Sequence, residues 1–91
     1  MKQLEKIFKA LGNKRRLNII KTLAKSKELP AGEIARQLNL SFASTSKHLA
    51  MLYRLDILDR RQENLTIYYR LSESVPIIVK KLVADISNAR E

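Results

Sequence analysis

The sequence contains no cysteine, one histidine, two glycines and two prolines. The lack of cysteine excludes disulfides, thiolate metal sites and thiol redox switches. So little glycine and proline argues against long loops. The first five residues lack the apolar core of a signal peptide, and no apolar run approaches the roughly 20 residues of a transmembrane helix. We therefore expect a cytoplasmic protein that does not enter a membrane.

The 91 residues are 45% hydrophobic and 30% charged, which is typical of a globular protein, and we expect a single domain over residues 1–91. A chain this short buries a modest core, so a partner chain could add much of its stability. The net charge of +9 favours a polyanionic partner such as DNA, RNA or an anionic membrane surface, although solubility alone could explain it. Residues 1–40 carry +7 of this charge and residues 41–71 carry +2.

Apolar residues three or four positions apart predict four helices in the first 55 residues. Asn13 and Ser41 are suited to cap the second and the fourth helix, and Pro30 suits the start of the third. Asn39 can adopt the left-handed conformation that ends the third helix. The predicted helical ranges are 2–11, 14–25, 31–38 and 42–55.

After residue 55 the hydrophobic period changes from that of a helix to that of a strand. Residues 57–62 and 65–71 predict a β-hairpin with a charged, exposed tip. A last helix is predicted over residues 74–89. The expected fold is mainly α with a small β-hairpin, in the order α-α-α-α-β-β-α of a winged helix-turn-helix.

The third and fourth helices are joined by a four-residue turn from Asn39 to Phe42, which is helix-turn-helix spacing. In that motif the second helix enters the major groove of DNA. Its predicted inner face carries Phe42, Thr45, Leu49 and Leu52, and its predicted outer stripe carries Ser44, Lys47, His48, Met51 and Arg54.

A solvated polar face would show the same pattern, but the combination with a basic hairpin favours DNA. Asp59 and Glu63 dilute the positive charge of that hairpin. The residues predicted to contact DNA are Ser41, Phe42, Ser44, Thr45, Lys47, His48, Arg54, Arg60, Arg61, Gln62 and Asn64.

Four short segments resemble the ArsR/SmtB family of bacterial and archaeal repressors. In residues 11–20, Arg16 takes the place of a near-fixed arginine that opens the second helix of the family. Residues 32–41 resemble the turn motif. Ser46-Lys47-His48-Leu49 with Leu52 resembles the recognition-helix signature, and residues 67–71 resemble the closing strand of the wing. The resemblance covers about residues 4–85.

This resemblance implies a homodimer that binds an imperfect inverted repeat in double-stranded DNA. It also implies that the first and the last helix form the dimer interface, although the same apolar stripes could lie in the core of one chain. The interface residues it implies are Leu4, Ile7, Phe8, Leu11, Val75, Ile78, Val79, Leu82, Val83 and Ile86.

The sequence departs from the family at its metal sites. Pro30 and Gly32 stand where relatives place cysteines, and the last helix has Asp85 but no histidine. We therefore expect no metal site, no cofactor and no metal inducer. Asp56 replaces a common glycine after the recognition helix, so we expect a differently shaped exit to the wing.

Other functions remain open from the residues alone. A winged helix also serves as a protein-interaction module within a larger transcription complex, and some bind RNA. An enzyme is disfavoured, because the sequence shows no nucleophile and base pair, no glycine-rich phosphate loop and no cluster of metal ligands.

Overall fold

The computed structural model describes residues 2–73, 81 and 85. Within them, the elements follow the predicted order, with one short additional strand before the third helix. Lys81 and Asp85 are helical, and the rest of the predicted last helix lies outside the described residues. The elements are α1 (Lys2–Leu11), α2 (Lys14–Lys25), β1 (Leu29–Pro30), α3 (Ala31–Leu38), α4 (Phe42–Arg54), β2 (Leu58–Glu63) and β3 (Thr66–Leu71).

The helix starts follow from their caps. The Asn13 side chain accepts a hydrogen bond from the Arg16 backbone N–H at 3.1 Å, and the Ser41 hydroxyl accepts one from the Ser44 N–H at 3.0 Å. Each bond satisfies a backbone donor that has no partner inside its helix. Both predicted caps are confirmed. Pro30 stands one residue before α3, at its N-cap.

The two helices of the helix-turn-helix motif end in the same way. Asn39 (φ 55°) follows α3 and Asp56 (φ 62°) follows the last turn of α4, both in the left-handed region. The Ile57 N–H then donates to the Leu52 carbonyl, and the Asp56 N–H donates to the Tyr53 carbonyl. This is the Schellman arrangement, which satisfies the last free carbonyls of a helix. The expectation that Asp56 would change the exit from α4 is therefore wrong, because aspartate adopts the conformation that glycine favours.

The sheet has the strand order β1-β3-β2, and both pairings are antiparallel. The wing consists of β2, a turn at Asn64 and Leu65, and β3, and its register pairs Glu63 with Thr66 next to the turn. Strand β1 pairs Leu29 with Tyr69 and was not predicted. Its two residues are too few to show an alternating pattern, and Pro30 is tolerated because β1 is an edge strand. Strand β1, which leads directly into α3, thus connects the wing to the helical body.

The core lies between the helices and the inner face of the sheet. Its largest fully buried hydrophobic residues are Ile19, Ile20, Ile34, Leu49, Leu52, Ile57 and Leu58.

Helix α1 contributes to this core, which corrects part of the predicted dimer interface. Ile7 and Leu11 are only 2% and 7% exposed and pack in the same cluster as the residues of α2 and α4. Because these two side chains fill the core of their own chain, they are not available to contact a second chain. Leu4 is half-buried and Phe8 is 52% exposed, so both stay available to a partner. The other predicted interface residues, from Val75 to Ile86, lie outside the described residues.

Candidate nucleic-acid interface

Helix α4 presents one long outer face between α3 and the wing. Its inner face is fixed by Leu49 and Leu52, which are fully buried. The opposite side therefore faces outward along the whole helix, as the 3.6-residue period requires. We call this outer face the recognition surface; it comprises Ser44, Lys47, His48, Met51 and Arg54, together with exposed Phe42 at the start of the helix.

Two residues of α4 differ from what was predicted for them. Thr45 is 0% exposed and its hydroxyl is buried, because it lies one helical turn before Leu49 and faces the core. The prediction that Thr45 contacts DNA is wrong. Phe42 was placed on the inner face but is 62% exposed. It occupies the first position of α4, where the side chain projects beyond the start of the packed helix.

His48 lies within the positive field of helix α2. Partial burial lowers the pKa of His48, and the nearby charges of Arg16 and Arg15 lower it further. The neutral imidazole is therefore favoured at neutral pH, where one ring nitrogen donates a hydrogen bond. An incoming phosphate is a suitable acceptor for that bond.

The residues of the wing that were predicted to contact DNA differ in how strongly they interact with other residues of the same chain. Arg60 stacks over the Tyr53 ring with 4.0 Å between the guanidinium carbon and the ring centre. Gln62 donates a hydrogen bond to the Asn64 carbonyl at 3.0 Å, and both residues are exposed at the tip. These three residues are available to a partner.

Arg61 is held by carboxylates, which the sequence did not reveal. It forms ion pairs with Glu28 at 2.8 Å and with Glu63 at 2.7 Å, and it stacks on the Tyr68 ring at 4.4 Å. Hydrogen bonding to the two carboxylates raises the pKa of Arg61, and the pKa of Glu28 is lowered in turn. Glu28 lies 33 positions away in the sequence, so only the pairing of β1 with β3 brings the two together.

Ser41 is also engaged, because its hydroxyl caps α4. A residue that sequence reasoning left out of the site is Arg16, whose guanidinium donates to the Met51 sulfur on the recognition surface. The only signal for it was the resemblance of residues 11–20 to the second helix of a known family.

A profile described as "Bacterial regulatory protein, arsR family" matches residues 13–60, which is 48 of the 91 residues. The matched segment runs from the cap of α2 through the recognition surface into the wing. The chain belongs to the arsR family. This agrees with the resemblance found in the four sequence segments, and with the winged helix-turn-helix fold.

Individual relatives support the same assignment. The ArsR-family chain is 40% identical over 68 residues to the transcriptional activator HlyU of Vibrio cholerae, covering 75% of this chain. It spans less than two thirds of that relative, namely 62%. The solved structure of HlyU from Vibrio cholerae superposes with a TM-score of 0.79 and 34% identity, covering 92% of this chain and 87% of that one.

A second solved structure is described as a homodimeric winged helix-turn-helix DNA-binding domain, Mb0332 of Mycobacterium bovis, a possible ArsR-family transcriptional regulator. Its TM-score is 0.78 at 29% identity, and the match covers 93% of this chain and 75% of that one.

In residues 2–73, 81 and 85 no three His, Cys, Asp or Glu side chains cluster closely enough to hold a metal ion. None of the helices in that part of the chain has the length and apolarity that crossing a bilayer requires.

Proposed function

We propose that this ArsR-family chain is a transcription regulator that binds an inverted repeat in duplex DNA as a homodimer. The observation that carries this proposal is the recognition surface, which sets Lys47, His48 and Arg54 on one exposed face of the second helix of a helix-turn-helix. That helix is the one that enters the major groove in this motif. The relationship to transcription regulators supports this function over catalysis. We propose a cytoplasmic location, because that is where a bacterial regulator meets its promoter.

The residues divide into two groups by the part of DNA they reach. Ser44, Lys47 and exposed Phe42 belong to the first two turns of α4, which lie deepest in the groove and read base edges. Arg54 lies at the end of α4, where it reaches the sugar-phosphate backbone. On the wing, Arg60, Gln62 and Asn64 reach flanking phosphates or the minor groove.

Dimer formation through α1 is supported by the apolar side chains that the core leaves uncovered. Phe8 is 52% exposed and Leu4 is half-buried on α1. A homodimer places two recognition surfaces about one helical turn of DNA apart, roughly 34 Å, which demands an inverted repeat. The simplest effect of such a dimer on a promoter is repression, because it covers the site that the polymerase needs.

We expect DNA binding to need no metal and no cofactor. The absence of cysteine and the presence of only one histidine, which lies on the recognition surface, support this expectation. Binding that is unchanged by a chelator, and by added zinc, would agree with it.

The decisive experiment is selection of bound sites from a random duplex library with the purified chain. We expect an inverted repeat to be enriched. On that sequence, Lys47→Ala should weaken binding about tenfold, the cost of roughly 1.4 kcal/mol for a lost charged contact. Lys25→Ala removes the same charge at the far end of α2 and should leave affinity within about twofold.

Three outcomes would count against the proposal. Enrichment of no sequence, with only weak binding that vanishes at moderate salt, would indicate a protein-interaction module. Preference for RNA over duplex DNA in competition would indicate an RNA-binding winged helix. Equal losses for the Lys47 and Lys25 variants would show that the groove assignment is wrong.

A further inference from the structure

A pocket of about 720 Å³ lies where α1, the start of α2 and the end of α4 meet. We call it the basic pocket, because four of its lining side chains are cationic. No carboxylate from the described part of the chain lines it. Its lining residues are Lys6, Lys9, Ala10, Arg16, Met51, Arg54 and Leu55.

The charge of this pocket is not neutralised from within the described chain. Three arginines elsewhere are paired with carboxylates, namely Arg36 with Glu33, Arg61 with Glu28, and Arg70 with Asp59. None of the four pocket cations forms an ion pair with another residue among 2–73, 81 and 85. Four like charges around one cavity repel one another, so an anion that binds there relieves this repulsion.

Arg16 supplies a second, independent observation. Its Nε atom is buried and has no hydrogen-bond partner within the described chain. One terminal nitrogen of the same guanidinium donates only to the Met51 sulfur, and a thioether is a weak acceptor. A buried donor without an acceptor is costly, and an oxyanion is the acceptor that matches the fork of a guanidinium.

We propose that the basic pocket binds a phosphate group, with the Arg16 guanidinium as its principal donor and Lys6, Lys9 and Arg54 as neutralising charges. The volume lies within the range of small-molecule sites and exceeds that of a bare phosphate. Ala10, Met51 and Leu55 give the pocket an apolar part. The pocket therefore suits a phosphate that carries an organic substituent.

Such a phosphate has two possible sources. Met51 and Arg54 belong to the recognition surface, so the pocket lies beside the face that we assign to DNA, and a backbone phosphate could enter it. This source rests on the proposed function. A free phosphorylated small molecule is the other source, and it would make the pocket a site through which a metabolite competes with DNA.

The first arm of the test uses the whole chain without DNA. The arginine Nε–Hε signals are followed by NMR during titration with inorganic phosphate and with phenyl phosphate, against sodium chloride at equal ionic strength. We expect the Arg16 signal to shift and saturate with the phosphates alone, and more tightly with phenyl phosphate. Arg54→Gln should weaken this binding at least threefold, and Lys25→Gln should not.

The second arm uses the selected duplex. If a backbone phosphate occupies the pocket, Lys9→Gln should reduce the slope of log affinity against log salt by about one, because Lys9 lines the pocket outside the recognition surface, and Lys25→Gln should leave the slope unchanged. Replacing the contacted phosphate by a neutral methylphosphonate should weaken the wild type several-fold, with little further loss in the Lys9→Gln variant.

A response in the first arm alone identifies a free ligand, and a response in the second arm alone identifies the DNA backbone. A response in both shows that one phosphate site serves both. If the Arg16 signal does not shift and the salt slope does not change, the proposal is overturned. If no duplex is bound at all, the proposed function fails, but the first arm still shows whether the basic pocket binds phosphate. Thermal unfolding of Arg54→Gln and Lys9→Gln, whose side chains are both exposed, verifies that the two variants are folded.

Discussion

The guanidinium of Arg61 and the carboxylate of Glu28 share three hydrogen bonds of 2.8 to 3.0 Å. Glu28 precedes the edge strand β1, and Arg61 lies on β2 at the far side of β3. The pair therefore spans the sheet and holds the wing arginine toward the body of the protein. It also neutralises the charge of Arg61, which was predicted from the sequence to contact DNA.

Glu28→Gln should strengthen binding to the selected duplex, because it removes the charge of one of the two carboxylates that hold the Arg61 guanidinium and leaves only Glu63 to compete with a phosphate. We expect a gain of up to about tenfold at low salt, and a salt slope steeper by as much as one. The effect on the free energy of unfolding should be small, since exposed ion pairs contribute little. Binding is measured by fluorescence anisotropy over a range of salt concentrations.

A double-mutant cycle separates this mechanism from a general change in charge. In an Arg61→Gln background, Glu28→Gln should have no effect on affinity beyond about twofold. An equal gain in both backgrounds would mean that Glu28 repels DNA directly and that its pairing with Arg61 is irrelevant.

Phe42 should read a thymine methyl group, because it is the exposed apolar side chain at the first position of α4. Apolar side chains contact that methyl in the major groove. Replacing the relevant thymine by uracil should cost the wild type about 1 kcal/mol, roughly fivefold in affinity, by the loss of one buried methyl. The Phe42→Ala variant should bind the two duplexes equally. A scan of single thymine-to-uracil changes that leaves wild-type affinity constant would remove Phe42 from base reading.

The pKa of His48 should respond to the charge on α2. Desolvation lowers this pKa first, and Arg16 and Arg15 lower it further, so Arg15→Gln should raise it. Titration of the ring protons by NMR measures the change, and Lys25→Gln serves as the matched control. Phosphates near the ring favour the protonated form, so duplex binding takes up a proton. Affinity should therefore rise as pH falls from the pKa of His48 in the complex to its lowered pKa in the free chain. Equal pKa values in wild type and Arg15→Gln would contradict the proximity of these residues.

Local signals predicted most of this fold. The helix starts follow from side chains that cap at short range, such as Asn13 and Ser41, and the residues between them repeat at the helical period. Strand β1 escaped prediction because two residues, one of them Pro30, carry no strand pattern. The pairing of Glu28 with Arg61 escaped for the same reason, since it exists only after β1 joins β3.

The side chains of α1 and α4 show a second limit. Periodicity identifies an apolar stripe, but it does not say which chain covers it, so Ile7 and Leu11 were assigned to a partner although they fill the core. Thr45 was predicted both on the inner face of α4 and in contact with DNA, and the second prediction fails because its side chain is fully buried. Its burial is decided by its neighbours Leu49 and Leu52.

Asp56 offers a test of backbone strain at the exit from the recognition helix. Its φ of 62° is unfavourable for a residue with a Cβ atom, although aspartate bears it better than most. Asp56→Gly should raise the free energy of unfolding by about 0.5 to 1 kcal/mol, because glycine adopts this conformation without steric cost. Asp56→Ala keeps the Cβ atom and loses the short polar side chain, so it should be less stable than either. Urea unfolding at neutral pH measures all three, and a glycine variant less stable than the wild type would show that Asp56 makes a specific favourable interaction that outweighs the strain.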